Sequence, residues 1–402
     1  MTAQQNILVL NLGSSSLKFA VIQPQSGHVA LSGLAERLGN DARFEYKFDD
    51  QKHDIELANG AVHKDAISTL ISTLEQNNLL TTLAGVGHRV VHGGETFSES
   101  MLITQENIEK LDQLNHLAPL HNPVNMEGIH SISELLPQIH QVAVFDTAFH
   151  QTMEDKAYLY ALPYELYEQH AIRRYGFHGT SYRYVSQKAA QQLGISQSDS
   201  QFLIAHLGNG CSACAVKNGE SVDTSMGLTP LEGLPMGTRS GDLDPGLSEY
   251  LNQQLDMTQD DIMTLYNKQS GLLGVSGISN DMRTIQQHAE KGDRRANLAI
   301  ELFAYKIARY LGALATNLER IDALVFTGGI GENDALTRSL ILEQMTIFGF
   351  KLDGERNQQN GDESGRITSD DSTLAMVVAT NEEMMIAQDT QSIIAQLQDE
   401  GA

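Results

Sequence analysis

The sequence predicts an α/β protein built from two related domains, because one type of strand–turn–strand unit occurs in both halves of the chain. In the second half, apolar runs flank the polar turn HLGNG at residues 206–210. In the first half, apolar runs flank the similar turn NLGSSS at residues 11–16. The runs have the length of buried strands, and the glycines let the backbone between them approach a ligand closely. Such a turn can present backbone N–H groups to a phosphate, so the repeat predicts two domains that close on a nucleotide.

The length of 402 residues also favours two domains over one. We place the first domain at residues 1–150, with a returning C-terminal helix at 383–402, and the second domain at residues 151–382. No low-complexity or proline-rich linker separates the two halves. Short hinges are therefore expected to join the domains.

Charge and hydropathy exclude several classes of protein. The chain carries 27 Lys and Arg against 51 Asp and Glu, for a net charge of −24, and it has no basic face that would bind nucleic acid. The apolar residues near the N-terminus are interrupted by Asn11, a serine run and Lys18, which is typical of neither a signal peptide nor a membrane span. We expect a cytoplasmic protein without a nucleic-acid or membrane partner. A site for anionic substrates would need local positive groups of its own.

Two residues at predicted strand ends of the first domain are candidates for chemistry. Arg89 lies among small and apolar neighbours in GVGHRVVHGG, where a guanidinium can grip a carboxylate or phosphate; a structural ion pair is the alternative. Asp146 follows the apolar run 142–145 and is expected at a cleft, with a turn or capping role as the alternative. His88 and His92 have a metal-like spacing, but the glycines and valines around them argue against a helix and against ligation. The pattern otherwise predicts a strand at 44–48 and helices at 66–80, 104–117 and 124–136.

The second domain contains similar candidates in glycine-flanked loops. His178 in YGFHGTS is a candidate hydrogen-bond donor to an anion, with a core histidine as the alternative. Arg239 in GTRSGD is a loop arginine of the same type as Arg89. The segment TGGIGEN at 327–333 follows a strand. We expect a helix to begin in it and to form one wall of a nucleoside or phosphate site. The longest helix is predicted at 294–318 with apolar positions 298, 302, 303, 307, 311 and 314, and the chain closes with a strand at 374–379 and a helix from 382.

Two patterns point to other chemistry and are not favoured. Cys211 and Cys214 form a C-x-x-C, but residues three apart on a strand point to opposite faces, and no second cysteine pair completes a zinc site. A redox or zinc role is kept as an alternative. Residues 208–213 fit the dinucleotide pattern G-x-G-x-x-A, yet a second strand follows where that fold needs a helix. The sequence has no P-loop, G-x-S-x-G or H-E-x-x-H motif.

Together these motifs resemble those of the acetate kinase family, over nearly the full length and in family order. They are NLGSSSLK at 11–18, HRVVHGG at 88–94, FDTAFH at 145–150, YGFHGTS at 175–181, HLGNGCS at 206–212, residues 223–242 and TGGIGEN at 327–333. That family belongs to the superfamily of acetate and sugar kinases, Hsp70 and actin. The resemblance implies an α/β fold of two duplicated actin-like (ribonuclease H-like) ATPase domains with a central cleft. It also implies a homodimer that transfers the γ-phosphoryl group of ATP reversibly and directly to acetate, giving acetyl phosphate and ADP.

The resemblance assigns catalytic roles to four residues. Arg89 would contact the carboxylate of acetate or acetyl phosphate, and Asp146 matches the essential aspartate of the family. His178 and Arg239 match residues that stabilise the transferring phosphoryl group.

The resemblance also implies which residues hold the ligands. Asn11 and Glu382 match metal-associated positions for Mg²⁺, with Mn²⁺ as a substitute, and Lys18 would lie near the phosphates of ATP. The other ATP-binding positions are His206, Leu207, Gly208, Asn209, Gly210, Asp281, Met282, Arg283, Gly329, Ile330, Gly331, Glu332 and Asn333. The apolar pocket for the acetate methyl group corresponds to Val91, Leu120, Phe177 and Pro230.

The chemistry of the proposed acceptor agrees with these residue types. A carboxylate, with a reference pKa of about 4, is already ionised near neutral pH and needs no general base. It needs instead a cancellation of the repulsion between two anions, and donors on the equatorial oxygens as charge spreads. Two arginines, a histidine and magnesium meet that need. We therefore hypothesise that Asp146 orients magnesium, a water or Arg239 rather than acting as a base.

Three residues depart from the pattern of the family. Tyr182 stands where a histidine is expected, and Cys211 and Pro235 stand where small or apolar residues are expected. The hydroxyl of Tyr182 can still donate one hydrogen bond. We expect local repacking around these residues and preserved activity.

Three alternative functions stay open. The first is the same chemistry on propionate or butyrate, because one methylene is worth only about 1–3 kcal/mol in an apolar pocket. The restrictive shapes of Val91 and Pro230 favour acetate. The second is an ATPase of the same superfamily without an acyl substrate, and the third is a sugar kinase, which would need an aspartate base and more polar surroundings.

Overall fold

The computed structural model describes residues 5–119 and 121–400. The chain divides into two compact units: the first runs to Phe149 and resumes at Asn381, and the second runs from His150 to Thr380. These limits differ by one or two residues from those expected at 150 and 382, and Glu382 therefore lies in the first unit.

Among the described residues, the first unit contains one eight-stranded mixed sheet. Its strands are β1 (Asn6–Gly13), β2 (Ser16–Gln23), β3 (His28–Glu36), β4 (Arg43–Phe48), β5 (Gln51–Glu56), β6 (Leu83–Val90), β7 (Met101–Leu102) and β8 (His140–Phe145). They lie in the order β5-β4-β3-β2-β1-β6-β8-β7. Strands β1 to β5 form an antiparallel meander, while β1, β6 and β8 are parallel neighbours. The carboxyl ends of β1, β6 and β8 therefore meet at one edge of the sheet.

Helices cover one face of this sheet. They are α1 (His63–Gln76), α2 (Gln105–Gln113) and α3 (Asn122–Leu135). Alternate residues of β1, such as Leu8 and Leu10, pack into one buried cluster with Leu70 of α1. Helix α1 ends four residues before the expected position 80, because Asn78 adopts the left-handed conformation with φ of 57°.

The second unit repeats the core of this topology. Its strands are β9 (Gln201–Leu207), β10 (Cys211–Lys217), β11 (Glu220–Thr224), β12 (Ala323–Thr327) and β13 (Ala375–Val377). They lie in the order β11-β10-β9-β12-β13, with antiparallel pairs on one side of β9 and parallel pairs on the other. The order β3-β2-β1-β6-β8 in the first unit has the same alternation. The duplicated fold expected from the two glycine turns is therefore confirmed.

The helices of the second unit include the long helix that apolar periodicity predicts at 294–318. They are α4 (Asp155–Tyr158), α5 (Glu165–His170), α6 (Gly179–Leu193), α7 (Gly246–Leu255), α8 (Gln259–Lys268), α9 (Gly271–Ser276), α10 (Met282–Ala289), α11 (Arg294–Ala315), α12 (Gly328–Asn333), α13 (Ala335–Glu343) and α14 (Gly354–Gln358). Helix α11 is the longest in the described part of the chain. The expectation that Leu298 belongs to its buried face is wrong, because this side chain is 49% exposed while Ala299, Ile300 and Phe303 are buried. The final strand is also shorter than expected, at Ala375–Val377.

The terminal helix α15 (Glu382–Glu400) returns to the first unit, as the sequence predicts. It packs against β6 through Ile386, Thr390 and Ile394, at the two glycines of GVGHRVV. A Cβ on Gly85 or Gly87 would come within 2.6 Å of these side chains. The glycines thus permit the close approach that brings Glu382 to the carboxyl ends of the strands. Within the described ranges, no helix is both long and apolar enough to cross a membrane.

Candidate active site

Three polar side chains converge where the parallel strands β1, β6 and β8 of the first unit end. Arg89 on β6 donates from Nε to Oδ1 of Asp146 at 3.0 Å and from Nη2 to Oδ2 at 2.6 Å. Its Nη1 donates to Oδ1 of Asn11 on β1 at 3.3 Å. Asp146 follows β8 directly, and its backbone N–H bonds to the carbonyl of Val90. Three residues that the sequence singled out separately thus form one cluster.

The charges around Arg89 stabilise its protonated form. Burial alone would lower the pKa of Arg89, but the charge of Asp146, its hydrogen bonds and the charge of Glu382 raise that pKa above its ordinary value. The Asp146 side chain is 2% exposed and the Arg89 side chain 22%. Arg89 is therefore fixed as a cation at the edge of the sheet, with part of its side chain accessible to a ligand.

The start of α15 adds two acidic residues. Burial raises the pKa of Glu382, and Arg89 and Lys18 oppose this effect while Asp146 adds to it. Lys18 Nζ lies 2.7 Å from Oε1 of Glu383. Glu383 was not identified from the sequence, although it adjoins Glu382 at the predicted helix start.

The oxygen groups of this cluster suit a hard divalent cation. Glu382 is half-buried and its charge interacts unfavourably with that of Asp146, a repulsion that such a cation would relieve, and Asn11 supplies an amide oxygen. No group of three or more His, Cys, Asp or Glu able to hold a metal occurs among residues 5–119 and 121–400. Mg²⁺ is usually held by one or two carboxylates together with substrate phosphates.

A second set of side chains surrounds His178 in the second unit. His178 has φ of 58°, a left-handed conformation uncommon outside glycine, and it precedes the first residue of α6. Its Nδ1 lies 2.8 Å from Oγ of Ser212 on β10. Its ring stacks on that of His206 with a centroid distance of 4.3 Å, and His206 Nδ1 in turn lies 2.9 Å from Oγ of Ser181. Two imidazoles thus stand side by side at the end of β9.

The glycine turn after β9 brings His178 and Arg239 to one point. A Cβ built on Gly210 would lie 3.5 Å from Nε2 of His178 and 3.8 Å from Nη2 of Arg239. Arg239 is held by its Nη1, which donates to the carbonyl oxygen of Pro230 at 2.8 Å. Gly210 therefore leaves space for an anion between two cationic or polar donors.

A cavity of about 570 Å³ in the second unit joins three of the predicted ATP-binding segments. Its lining includes residues from the glycine turn, from α10 and from α12: Gly208, Asn209, Asp281, Met282, Arg283, Gly329, Ile330 and Asn333. Asp281 caps α10 by accepting from the N–H groups of Arg283 and Thr284. These distant segments form one continuous wall of the size expected for a small-molecule site.

Six of the predicted ATP-binding residues lie outside this lining: Lys18, His206, Leu207, Gly210, Gly331 and Glu332. Gly331 is buried, and Glu332 accepts hydrogen bonds from the N–H groups of Gly328 and Thr380 at 3.0 Å each. Arg338, fully buried, donates to the carbonyl oxygens of Gly331 and Glu332. Glu332 and Arg338 hold the backbone of the segment in place, and the sequence pattern had not identified Arg338.

The residues predicted for the methyl pocket are distributed over both units. Val91 is 8% exposed in the first unit, and its N–H donates to Oδ1 of Asn125. Phe177, 2% exposed, and Pro230 belong to the second unit. Leu120 lies outside the described residues.

The three residues that depart from the family pattern lie close to the glycine turn or its supporting loops. Tyr182 is fully buried and bonds to Ser212, and Cys211 Sγ donates to the carbonyl oxygen of Gly208 at 3.1 Å. Burial raises the pKa of Cys211 to about 12, and Cys214 is also a buried free thiol. Protonated, buried thiols are poor nucleophiles and metal ligands. Pro235 lines a separate cavity of about 350 Å³.

Comparisons with known proteins agree with these features. A model described as the acetokinase family matches residues 6–388. A protein named acetate kinase from Shewanella frigidimarina (strain NCIMB 400) is 49% identical over 392 residues, covering 96% of this chain and 98% of that protein. The crystal structure of a propionate kinase from Francisella tularensis subsp. tularensis SCHU S4 superimposes with a TM-score of 0.93 at 46% identity, covering 97% of this chain and 100% of that chain. Porphyromonas gingivalis acetate kinase gives a TM-score of 0.91 at 43% identity, with coverage of 97% and 100%.

Proposed function

The chain belongs to the acetokinase family, and from this premise we propose that it transfers the γ-phosphoryl group of ATP reversibly to acetate, giving acetyl phosphate and ADP. It is a phosphotransferase whose acceptor is a carboxyl group. The observation in this chain that carries the proposal is the approach of His178 Nε2 and Arg239 Nη2 to one side of Gly210. Donors in this arrangement suit the equatorial oxygens of a phosphoryl group in transfer.

The proposed reaction is a direct in-line displacement. A carboxylate oxygen of acetate attacks the γ-phosphorus, a new P–O bond forms, and the bond to the bridging oxygen of ADP breaks with its electron pair leaving on ADP. No proton is removed from the nucleophile, since acetate is already ionised. Arg89 binds the acceptor carboxylate, and Asp146 holds the guanidinium in its orientation through two hydrogen bonds. This role differs from the earlier hypothesis that Asp146 orients magnesium, water or Arg239.

Binding of the nucleotide is assigned to the second unit and to Lys18. The cavity of about 570 Å³ takes the nucleoside, and the backbone of residues 206–210 approaches the phosphates. Asn11 and Glu382 would hold magnesium, which would supply positive charge against the phosphates, and Mn²⁺ would substitute. Loss of Arg89 or of Arg239 is expected to abolish turnover.

Propionate, and more distantly butyrate, is the second candidate acceptor. The similarity to a propionate kinase favours it, and one added methylene changes transition-state binding by only about 1–3 kcal/mol. Val91, Leu120, Phe177 and Pro230 would form the apolar pocket, and the restrictive shapes of Val91 and Pro230 favour acetate.

The test is ATP-dependent formation of acyl phosphate, trapped as the hydroxamate with hydroxylamine. Acetate, propionate, butyrate and glycerol are compared, with Arg239→Ala alongside the wild-type chain. Hydroxamate strongest with acetate and nearly lost in the variant is expected. A maximum with propionate or butyrate would keep the mechanism and correct the acceptor. ATP hydrolysis without hydroxamate from any acid would reject carboxylate phosphorylation and leave an ATPase of the superfamily.

Homodimerisation and a cytoplasmic location are further parts of this proposal, and both rest on the resemblance to the family. Light scattering on a size-exclusion column measures the first: a mass near that of one 44.1 kDa chain would contradict it. Cell fractionation measures the second, with recovery in the membrane fraction as the contradicting result.

A further inference from the structure

Three side chains of the second unit form a hydrogen-bonded row that ends at His178. The hydroxyl of Tyr182, in the first turn of α6, lies 2.5 Å from Oγ of Ser212. Oγ of Ser212 lies 2.8 Å from Nδ1 of His178. Tyr182 and Ser212 are each 0% exposed, so bulk water does not compete for these bonds.

The direction of each hydrogen bond in this row follows from the number of hydrogens. Burial raises the pKa of Tyr182 well above its ordinary value, so the phenol stays protonated. Among residues 5–119 and 121–400, Oγ of Ser212 is the hydrogen-bond partner of that hydroxyl. A buried hydroxyl hydrogen without an acceptor is costly, so Tyr182 donates to Ser212. Ser212 has one hydrogen of its own, and its other side-chain partner is Nδ1 of His178. Ser212 therefore donates to Nδ1.

We propose that Tyr182 and Ser212 are positioning residues that hold His178 as the neutral tautomer with its proton on Nε2. This inference rests on the proposed function, because it deepens the role given there to His178. A nitrogen that accepts a hydrogen bond carries no proton, so the single proton of a neutral imidazole is on the other nitrogen. That nitrogen is the one that lies 3.5 Å from the Cβ position of Gly210, on the side where Arg239 also points.

The same row disfavours the two other states of the ring. An imidazolium would donate from Nδ1 to Ser212, and the hydrogen of Ser212 would lose its acceptor. It would also place a full charge 4.3 Å from the ring of His206. The opposite tautomer would aim a lone pair of Nε2 at the phosphoryl oxygens and repel them. The row thus ensures that His178 meets the developing negative charge as a donor.

Tyr182 was noted in the sequence as a departure from the histidine expected there, and it supplies the hydrogen that sets the direction of both bonds. Ser212 lies in HLGNGCS, directly after the glycine turn, and the strand pairing of β9 and β10 places it opposite His206.

The test combines ring-nitrogen NMR with kinetics on the full-length chain. The protein is labelled with ¹⁵N-histidine, and the His178 signals are assigned by their loss in His178→Gln. Tyr182→Phe removes one hydroxyl, and Ser212→Ala removes the bridging hydroxyl. Tyr266→Phe is the matched control, because it deletes another buried tyrosine hydroxyl that faces a serine, Ser248, outside the row.

In the wild-type chain, we expect Nε2 of His178 to be protonated and Nδ1 to be unprotonated. In Ser212→Ala and Tyr182→Phe, the nitrogen shifts should move toward the averaged values of mixed tautomers. The turnover number should fall by about tenfold or more in Ser212→Ala and less in Tyr182→Phe, with KM for acetate and ATP nearly unchanged, since the lost interaction forms in the transition state. Tyr266→Phe should match the wild type in both measurements.

Several results would overturn the inference. These are a proton on Nδ1 or a charged ring in the wild type, a change of tautomer without a change of turnover, or a fall in turnover without a change of tautomer. The proposed function can fail separately: a wild-type chain that forms no acyl hydroxamate rejects it, while the nitrogen shifts still report the tautomer.

Discussion

The carboxylate of Asp146 accepts two hydrogen bonds from the guanidinium of Arg89, which lies 57 residues earlier in the chain. The carboxylate is nearly inaccessible to water, whereas the guanidinium is partly exposed. Asp146 therefore fixes the guanidinium of Arg89 in place. In the proposed reaction, whose nucleophile requires no base, Asp146 would act on a bound substrate through Arg89.

Replacement of Asp146 tests this relationship. Asp146→Asn leaves the charge of Arg89 without its partner, so turnover should fall by about 100-fold or more, and the free energy of unfolding should fall by about 3 kcal/mol. Hydroxamate formation and urea unfolding measure the two effects. The control Asp371→Asn breaks an exposed pair with Lys351 and should cost less than about 1 kcal/mol. Unchanged stability with a shifted pH profile of turnover would instead indicate that Asp146 is a base.

A second prediction concerns the space beside Gly210. Its backbone is not left-handed, so Gly210→Ala should fold with a change of less than about 1 kcal/mol in the free energy of unfolding. The added methyl group occupies the point that His178 and Arg239 both face, so turnover should drop by about tenfold or more because the phosphoryl oxygens lose that space. The control Gly354→Ala adds a methyl group where no atom lies within 4 Å. Wild-type turnover in Gly210→Ala would show that the transferred group passes elsewhere.

A third prediction concerns the proposed metal site. Chelation by EDTA should stop turnover, and added Mg²⁺ should restore it. In Glu382→Gln, the loss of one carboxylate should raise the half-saturating Mg²⁺ concentration by about tenfold or more. An exposed acid in the same unit, replaced in Glu134→Gln, should leave the Mg²⁺ requirement unchanged. A normal Mg²⁺ requirement in Glu382→Gln would remove this residue from the metal site.

The fourth prediction concerns buried His88 and the pH dependence of the free energy of unfolding. Burial lowers the pKa of His88 to about 4, although its Nε2 donates to Oε1 of Gln141 at 2.8 Å. Because the ordinary pKa is 6.5, the unfolded chain binds a proton at a higher pH than the folded protein does. Stability from His88 is therefore full above pH 6.5 and is lost as the pH falls toward 4, by roughly 3 kcal/mol in total.

Urea unfolding at several pH values between 7.5 and 4 measures this loss. His88→Gln has no titrating ring at this position, so its free energy of unfolding should fall less steeply with decreasing pH than that of the wild type. His140→Gln, which replaces an exposed histidine at the start of β8, should keep the wild-type slope. Equal slopes in all three chains would show that His88 titrates normally in the folded protein.

The sequence by itself determined the features that depend on neighbours along the chain. The alternation of apolar runs and glycine turns predicted β1–β2 and β9–β10, and hence the duplicated fold. A strand followed by a polar residue placed Asp146 correctly at a sheet edge. Such features are set by backbone geometry over a few residues, which is why they can be predicted without the tertiary structure.

The tertiary structure decided which distant residues meet. The contact of Arg89 with Asp146 depends on β6 and β8 being parallel neighbours, and that of Tyr182 with Ser212 depends on how α6 packs on β9, the neighbour of β10. Sequence reasoning expected neither of these pairs, nor the hydrogen bond that Glu332 accepts from the backbone N–H of Gly328. The burial of Leu298 was wrong for the same reason, because periodicity gives the spacing of an apolar face but not which side of the helix the rest of the chain covers. Side-chain direction and pairing between distant segments are properties of the packed chain.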